Sequence, residues 1–178
     1  MPHIHTEPGQ HDFTTSAIIF RYEDAVPKVL LHIHKKLGKL MQPGGHIELG
    51  ENPWQAIAHE IEEETGYVLQ DLEALQPEWA MKELSGAIAH PVPFCVNTHD
   101  IGGGDHKHTD LVFVFLAKDL PLKQPDIAGG ESGDLRWLTQ KEVTGLTDID
   151  IPLNIKEIIL GAFKVCLPNW WSIATNAL

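Results

Sequence analysis

Seven consecutive apolar residues, Leu111 to Ala117 in the segment HTDLVFVFLAK, constrain the fold most. A strand with one face in water alternates apolar and polar side chains, whereas an unbroken apolar run needs cover on both faces. His108 to Lys118 is therefore expected to be a central strand. Other strands are expected around it: TTSAIIFRY (Thr14 to Tyr22) and KVLLHIHK (Lys28 to Lys35), joined as a hairpin by the turn EDAVP. A short strand is expected at His46 to Leu49, interrupted ones in PEWAMKE and AIAHPVPFCVNTH, and another in LRWLT. TQKEV is expected to open a short helix. Pro152 to Cys166 reads as a last helix, with Ile155, Ile158, Ile159 and Phe163 on one side. QPDIAGGESGD reads as a loop and residues 1–12 as a loose arm. Strands and helices mixed in this order indicate an α/β or α+β domain, expected as one unit over residues 1–178.

A further helix has the clearest boundaries. Asn52 is a good N-cap, Pro53 stands at the first helical position and Gly66 follows the last turn. Trp54, Ile57, Ala58 and Ile61 recur at helical spacing as its buried stripe. The same helix is strongly acidic. Glu60, Glu63 and Glu64 share one face at i, i+3 and i+4, and no lysine or arginine occurs from Gly44 to Tyr67. Like charges at this spacing destabilise a helix by a few tenths of a kcal/mol per pair. The face is either solvated or holds an external cation, and clustered carboxylates suit a hard divalent ion, Mg²⁺ or Mn²⁺.

Charge and composition exclude other classes. A net charge of −12 disfavours a nucleic-acid duplex or an anionic membrane as partner. With 43% hydrophobic residues the chain is not a disordered polyanion. No apolar run reaches the length of a membrane span, and the N-terminus lacks the signal-peptide pattern, so a cytoplasmic location is expected. Cys95 and Cys166 are expected as reduced thiols without a nucleophilic role.

The segment from Gly45 to Tyr67 resembles the Nudix box, G-x5-E-x7-R-E-U-x-E-E-x-G-U, with U a bulky apolar residue. Gly45, Glu51, Glu60, Glu63, Glu64 and Gly66 fall in register. A chance match in this length has a probability on the order of one in 100,000. His59 stands where the family has arginine, and Tyr67 where it usually has an aliphatic. Histidine lacks the forked donor geometry of arginine but can lie beside Glu63 one turn on.

The resemblance extends from about Thr14 to Val143. It implies an α/β/α sandwich with a mixed sheet, and divalent-metal-dependent hydrolysis of a pyrophosphate linkage in a nucleoside diphosphate joined to another moiety. It implies Glu60, Glu63, Glu64 and the Gly44 carbonyl as ligands of Mg²⁺ or Mn²⁺. Glu51 is implied near them, and Glu63, Glu64 or Glu131 as general base. It implies Gly45 and Gly66 as glycines that shape the loops, and His59 in the place of the arginine that holds the glutamates in position, with a working but less rigid site expected. The expected partner is a small nucleotide or pyrophosphate, and the family often forms homodimers. Two rivals follow from the departures. His59 suggests a weakened, nucleotide-binding module. His106 and His108, with His99 and Asp110 close by, suggest contacts to substrate phosphate, a zinc site, or ordinary polar residues where the strand begins. His32 and His34 read as packing or hydrogen-bonding residues, and Trp54 and Trp137 as core.

Overall fold

A computed structural model describes residues 9–81, 83–101, 106–117 and 132–175. Among these residues nine strands form one sheet. They are β1 (His11–Glu23), β2 (Val26–His34), β3 (Lys39–Met41), β4 (Gly44–His46), β5 (Leu72–Gln76), β6 (Cys95–Ile101), β7 (His106–Ala117), β8 (Ser132–Thr139) and β9 (Trp171–Ala174). The helices are α1 (Pro53–Thr65), α2 (Gln140–Gly145) and α3 (Leu153–Asn169).

The apolar run is central, as expected. β7 pairs in parallel with β1, from His11↔Lys107 to Phe20↔Leu116. It also pairs antiparallel with β5 and β6. β1 turns back antiparallel into β2, and β2 carries β3 and β8. Alternation along the buried strands sorts side chains between two layers. Ile18, Phe20, Val112 and Val114 pack with Ile155, Ile159 and Phe163 of α3. Ala17, Ile19, Phe113 and Phe115 pack with Ile57 and Ile61 of α1. Phe20 meets Phe163 edge-on at 4.7 Å. Trp54, partly buried, stacks on Phe115 at 5.7 Å and packs against this second layer. Trp137 is partly buried, with the Arg21 guanidinium 4.2 Å from its ring centre. Burying each large side chain contributes about 1.5–3 kcal/mol.

The caps of α1 form as read. The Asn52 side chain accepts from the Trp54 and Gln55 N–H groups, and Gly66 takes the left-handed conformation at φ 72°. The buried face of α1 differs. It includes Ala56, Glu60, Glu64 and Thr65 beside Ile57 and Ile61, whereas Ala58 is only half-buried.

Several other expectations are corrected. Leu72–Gln76 is the strand, and Pro77 to Met81 leaves the sheet, because Pro77 has no N–H for a further ladder bond. The loop strand lies at Gly44–His46, not His46 to Leu49; those residues pair with Thr14, Thr15 and Ser16 of β1. His11 and Asp12 belong to β1 instead of a loose arm, and Asp12 is buried. Residues 1–8 lie outside the described residues. β9, not anticipated, pairs with β5, and Trp170 packs on Phe94. No helix among the described residues is long and apolar enough to cross a membrane.

Candidate active site

Strand β4 delivers Gly44 and Gly45 against the acidic face of α1. The Gly44 N–H donates to Glu64 Oε2 at 2.9 Å. A Cβ on Gly45 would lie 2.1 Å from Glu60 Oε1, and one on Gly44 would lie 2.4 Å from the Thr15 carbonyl oxygen. Only glycine permits this approach at either position. Glu60 and Glu64 are 5% and 7% exposed, so this part of the acidic helix is not a solvated face. Ionised carboxylates taken from water need compensation by donors or by a cation. Here Gly44 supplies one donor, and His32, itself buried, sits with Nε2 3.6 Å from Glu64 Oε2. His32 therefore packs and faces the acidic cluster at once.

Glu63, 57% exposed, lines the same cavity as Glu60 and Glu64. His59 Nε2 lies 3.0 Å from Glu63 Oε1, and His59 Nδ1 lies 3.6 Å from Glu51 Oε1. The imidazole thus links the two carboxylates that the sequence placed on either side of it. Partial burial pulls its pKa down, but the charges of Glu63, Glu51 and Glu60 and the hydrogen bond to Glu63 outweigh this and raise it. Glu131 lies outside the described residues.

The carboxylates face a cavity of about 400 Å³. Its walls include Glu60, Glu63, Glu64 and Gly45 on one side, and Asn97, His99, His108 and Asp110 from β6 and β7 on another. Asp110 is buried at the foot of β7. Thr14 Oγ1 and Ser16 Oγ each donate to its Oδ1 at 3.0 Å. Burial raises the Asp110 pKa against the opposing effect of those two hydrogen bonds.

The expected trio His106, His108 and Asp110 does share a strand, but the structure enlarges the histidine group. His99 pairs across the ladder with His108, their rings 5.7 Å apart. His46, from the glycine loop, meets His108 edge-on at 4.8 Å, and His106 lies 5.2 Å from the same ring. Asp12 joins them: its Oδ2 is 3.0 Å from His106 Nε2 and 3.5 Å from His46 Nε2. Burial and the neighbouring imidazoles lower the His108 pKa to about 4. Asp12 and His46 were not recognised in the sequence, because β1 pairing with both β4 and β7 brings them together. The cysteines are free and unsuited to attack; burial pushes the Cys166 thiol up to about 12.

A mixed sheet between helix layers, with a glycine loop pressed on an acidic helix at a cavity, defines a Nudix-type hydrolase fold. The chain belongs to the Nudix family: the NUDIX domain matches residues 11–157. It is similar to a NUDIX-family hydrolase from Clostridium perfringens, at 28% identity over 86% of this chain and 96% of that one, with a TM-score of 0.69. It shares the fold of the NUDIX domain of Shewanella oneidensis NrtR complexed with ADP ribose, at 19% identity, 87% and 88% coverage and a TM-score of 0.63. It also shares that of a C. elegans Ap4A hydrolase, at 16% identity, 88% and 100% coverage and a TM-score of 0.58. No curated protein sequence matches the chain.

Proposed function

We propose that the chain, acting as one Nudix unit, hydrolyses the pyrophosphate linkage of a nucleoside diphosphate joined to another moiety, with Mg²⁺ or Mn²⁺ as cofactor. The observation that carries this is the burial of Glu60 and Glu64 against the Gly44–Gly45 loop, beside the exposed Glu63, at the wall of one cavity. The donor set is all oxygen: three carboxylates and the Gly44 carbonyl. Such a set fits a hard divalent ion, and Glu60, Glu63, Glu64 and Gly44 would hold it. When bound, such ions neutralise diphosphate oxygens and lower the pKa of water.

The chain's own residues do the rest. The Gly44 N–H fixes the rotamer of Glu64, and the absent Cβ of Gly45 leaves room for Glu60. His59 bridges Glu63 and Glu51 and limits their repulsion. Glu63 or Glu64 accepts the proton of the attacking water, with Glu131 a further candidate base. The cavity, the ADP ribose bound to one fold neighbour and the naming of another as an Ap4A hydrolase make small nucleotides the substrates to try first.

Product release from ADP-ribose, dinucleoside polyphosphates, nucleoside triphosphates and sugar nucleotides, each with Mg²⁺ and with Mn²⁺, tests the proposal. Turnover of at least one, abolished by Glu63→Gln with Glu64→Gln, is expected. Tight binding with no turnover across the panel would replace it with a nucleotide-binding role.

A further inference from the structure

His46 and His108 of the cavity wall, together with the buried Asp12, form a second group of metal-ligand side chains, chemically unlike the first. Asp12, His46 and His108 each place a donor atom within 4.8 Å of the other two. An equilateral triangle of that edge has its centre about 2.8 Å from each corner. Since 4.8 Å is the upper limit of the separations, each donor needs to move inward by at most roughly 0.7 Å to make the 2.0–2.2 Å bonds of zinc. Side-chain rotation alone supplies such a shift. We infer that Asp12, His46 and His108 form a second metal site, selective for zinc or a similar imidazole-preferring divalent ion, on the same cavity as the box glutamates.

Two features of the surroundings support the inference. The donors are carried on the paired strands β1, β4 and β7, so the backbone holds them in place: Asp12 lies opposite His108, and His46 opposite Thr14. His106 Nε2, 3.0 Å from Asp12 Oδ2, positions the carboxylate, as groups behind a metal ligand commonly do.

Donor type separates the two sites. Imidazole nitrogen favours zinc and its neighbours in the transition series, whereas carboxylate and carbonyl oxygen favour magnesium and manganese. Three protein donors leave a fourth position open, the usual arrangement of a zinc ion that meets a ligand. His46 and His108 line the cavity, so that position faces the space where a substrate would sit. The ion would there attract an anionic group, a phosphate or a carboxylate. The inference does not depend on hydrolysis and stands if the substrate panel fails.

The test uses the full chain with His3→Ala and His5→Ala, which removes the closely spaced histidine pair of the N-terminal segment. The chelator-stripped protein is titrated with Zn²⁺ in excess Mg²⁺, against a chromophoric chelator. One Zn²⁺ per chain is expected. His46→Ala and His108→Ala should each weaken it by about 100-fold or more, and His106→Ala by about 10–100-fold. Glu63→Gln with Glu64→Gln should leave it within about threefold, and thermal melts check that each variant folds. A second measurement needs no cluster variant: Cu²⁺ bound to the same protein should show nitrogen coupling from imidazole in pulsed electron paramagnetic resonance. Loss of zinc with the glutamate pair but not with His46→Ala or His108→Ala would overturn the inference, as would less than one Zn²⁺ per chain or a Cu²⁺ signal without imidazole.

Discussion

Gly45→Ala tests the geometry of the acidic site with a single methyl group. Gly45 is not among the glycines of positive φ, so alanine adds no backbone strain there. The cost is steric. The new Cβ would stand 2.1 Å from Glu60 Oε1, where ordinary contact begins at 3.4 Å. The carboxylate must therefore retreat by about 1.3 Å, because the alternative is to pull β4 away from β1. A misplacement of about 1 Å in a catalytic group can cost roughly 100-fold in rate, or about 2.7 kcal/mol. We expect a loss of that size in kcat/KM on any substrate that turns over, and a parallel loss of Mn²⁺ affinity measured by calorimetry, which needs no substrate. Glu60→Asp shortens the acid by one bond, about 1.5 Å, and makes room for the methyl. In that background Gly45→Ala should cost less than about tenfold, so the two changes should be non-additive. If Gly45→Ala kept both kcat/KM and Mn²⁺ affinity within threefold of the parent, the close approach would have no bearing on the site.

Three further outcomes follow from particular residues. Asp24 and Ala25 both have positive φ, 48° and 63°, in the β1–β2 turn; Ala25→Gly should stabilise the protein by about 0.5–1 kcal/mol, read as a higher Tm, and a lower Tm would contradict the turn. His59 has a folded pKa above its unfolded value, so its contribution is fully present below about pH 6.5 and fades as pH rises through the folded value. Urea unfolding of the parent and His59→Gln should differ by about 0.3–0.5 kcal/mol at pH 6 and converge by pH 9; a gap that widens with pH would refute the pairing. Burial raises the Asp110 pKa, so its protonated form stabilises the fold below the unfolded value, and that advantage is lost as pH rises through the folded one. Relative to Asp110→Asn, the parent should lose stability between pH 4 and pH 7 in the same assay, and a relative gain would show that the carboxylate is not penalised.

Local signals in the sequence reached far, and contacts between distant segments did not. The cap residues Asn52, Pro53 and Gly66 act within a few positions of themselves, so the ends of α1 were legible. The apolar run in β7 announced its own central place. The Glu60, Glu63 and Glu64 spacing gave the acidic face, although the burial of Glu60 and Glu64 depends on β4 packing over it. β4 lies upstream of the expected His46 to Leu49 strand because Gly44 and Gly45 have little strand propensity of their own; pairing with β1 makes them a strand. Asp12 and His108 are neighbours only through the parallel ladder of β1 and β7, whose partners lie almost a hundred residues apart. β9 was missed for a similar reason: four residues after a helix become a strand because the edge of β5 is there to receive them.

The central claim is that the acidic helix and its glycine loop grip divalent cations. Anomalous scattering from crystals soaked in Mn²⁺ measures this directly. A peak is expected within about 2.0–2.3 Å of carboxylate oxygens of Glu60, Glu63 or Glu64, beside the Gly44 carbonyl. A map with no manganese there, or with manganese only among Asp12, His46 and His108, would contradict it.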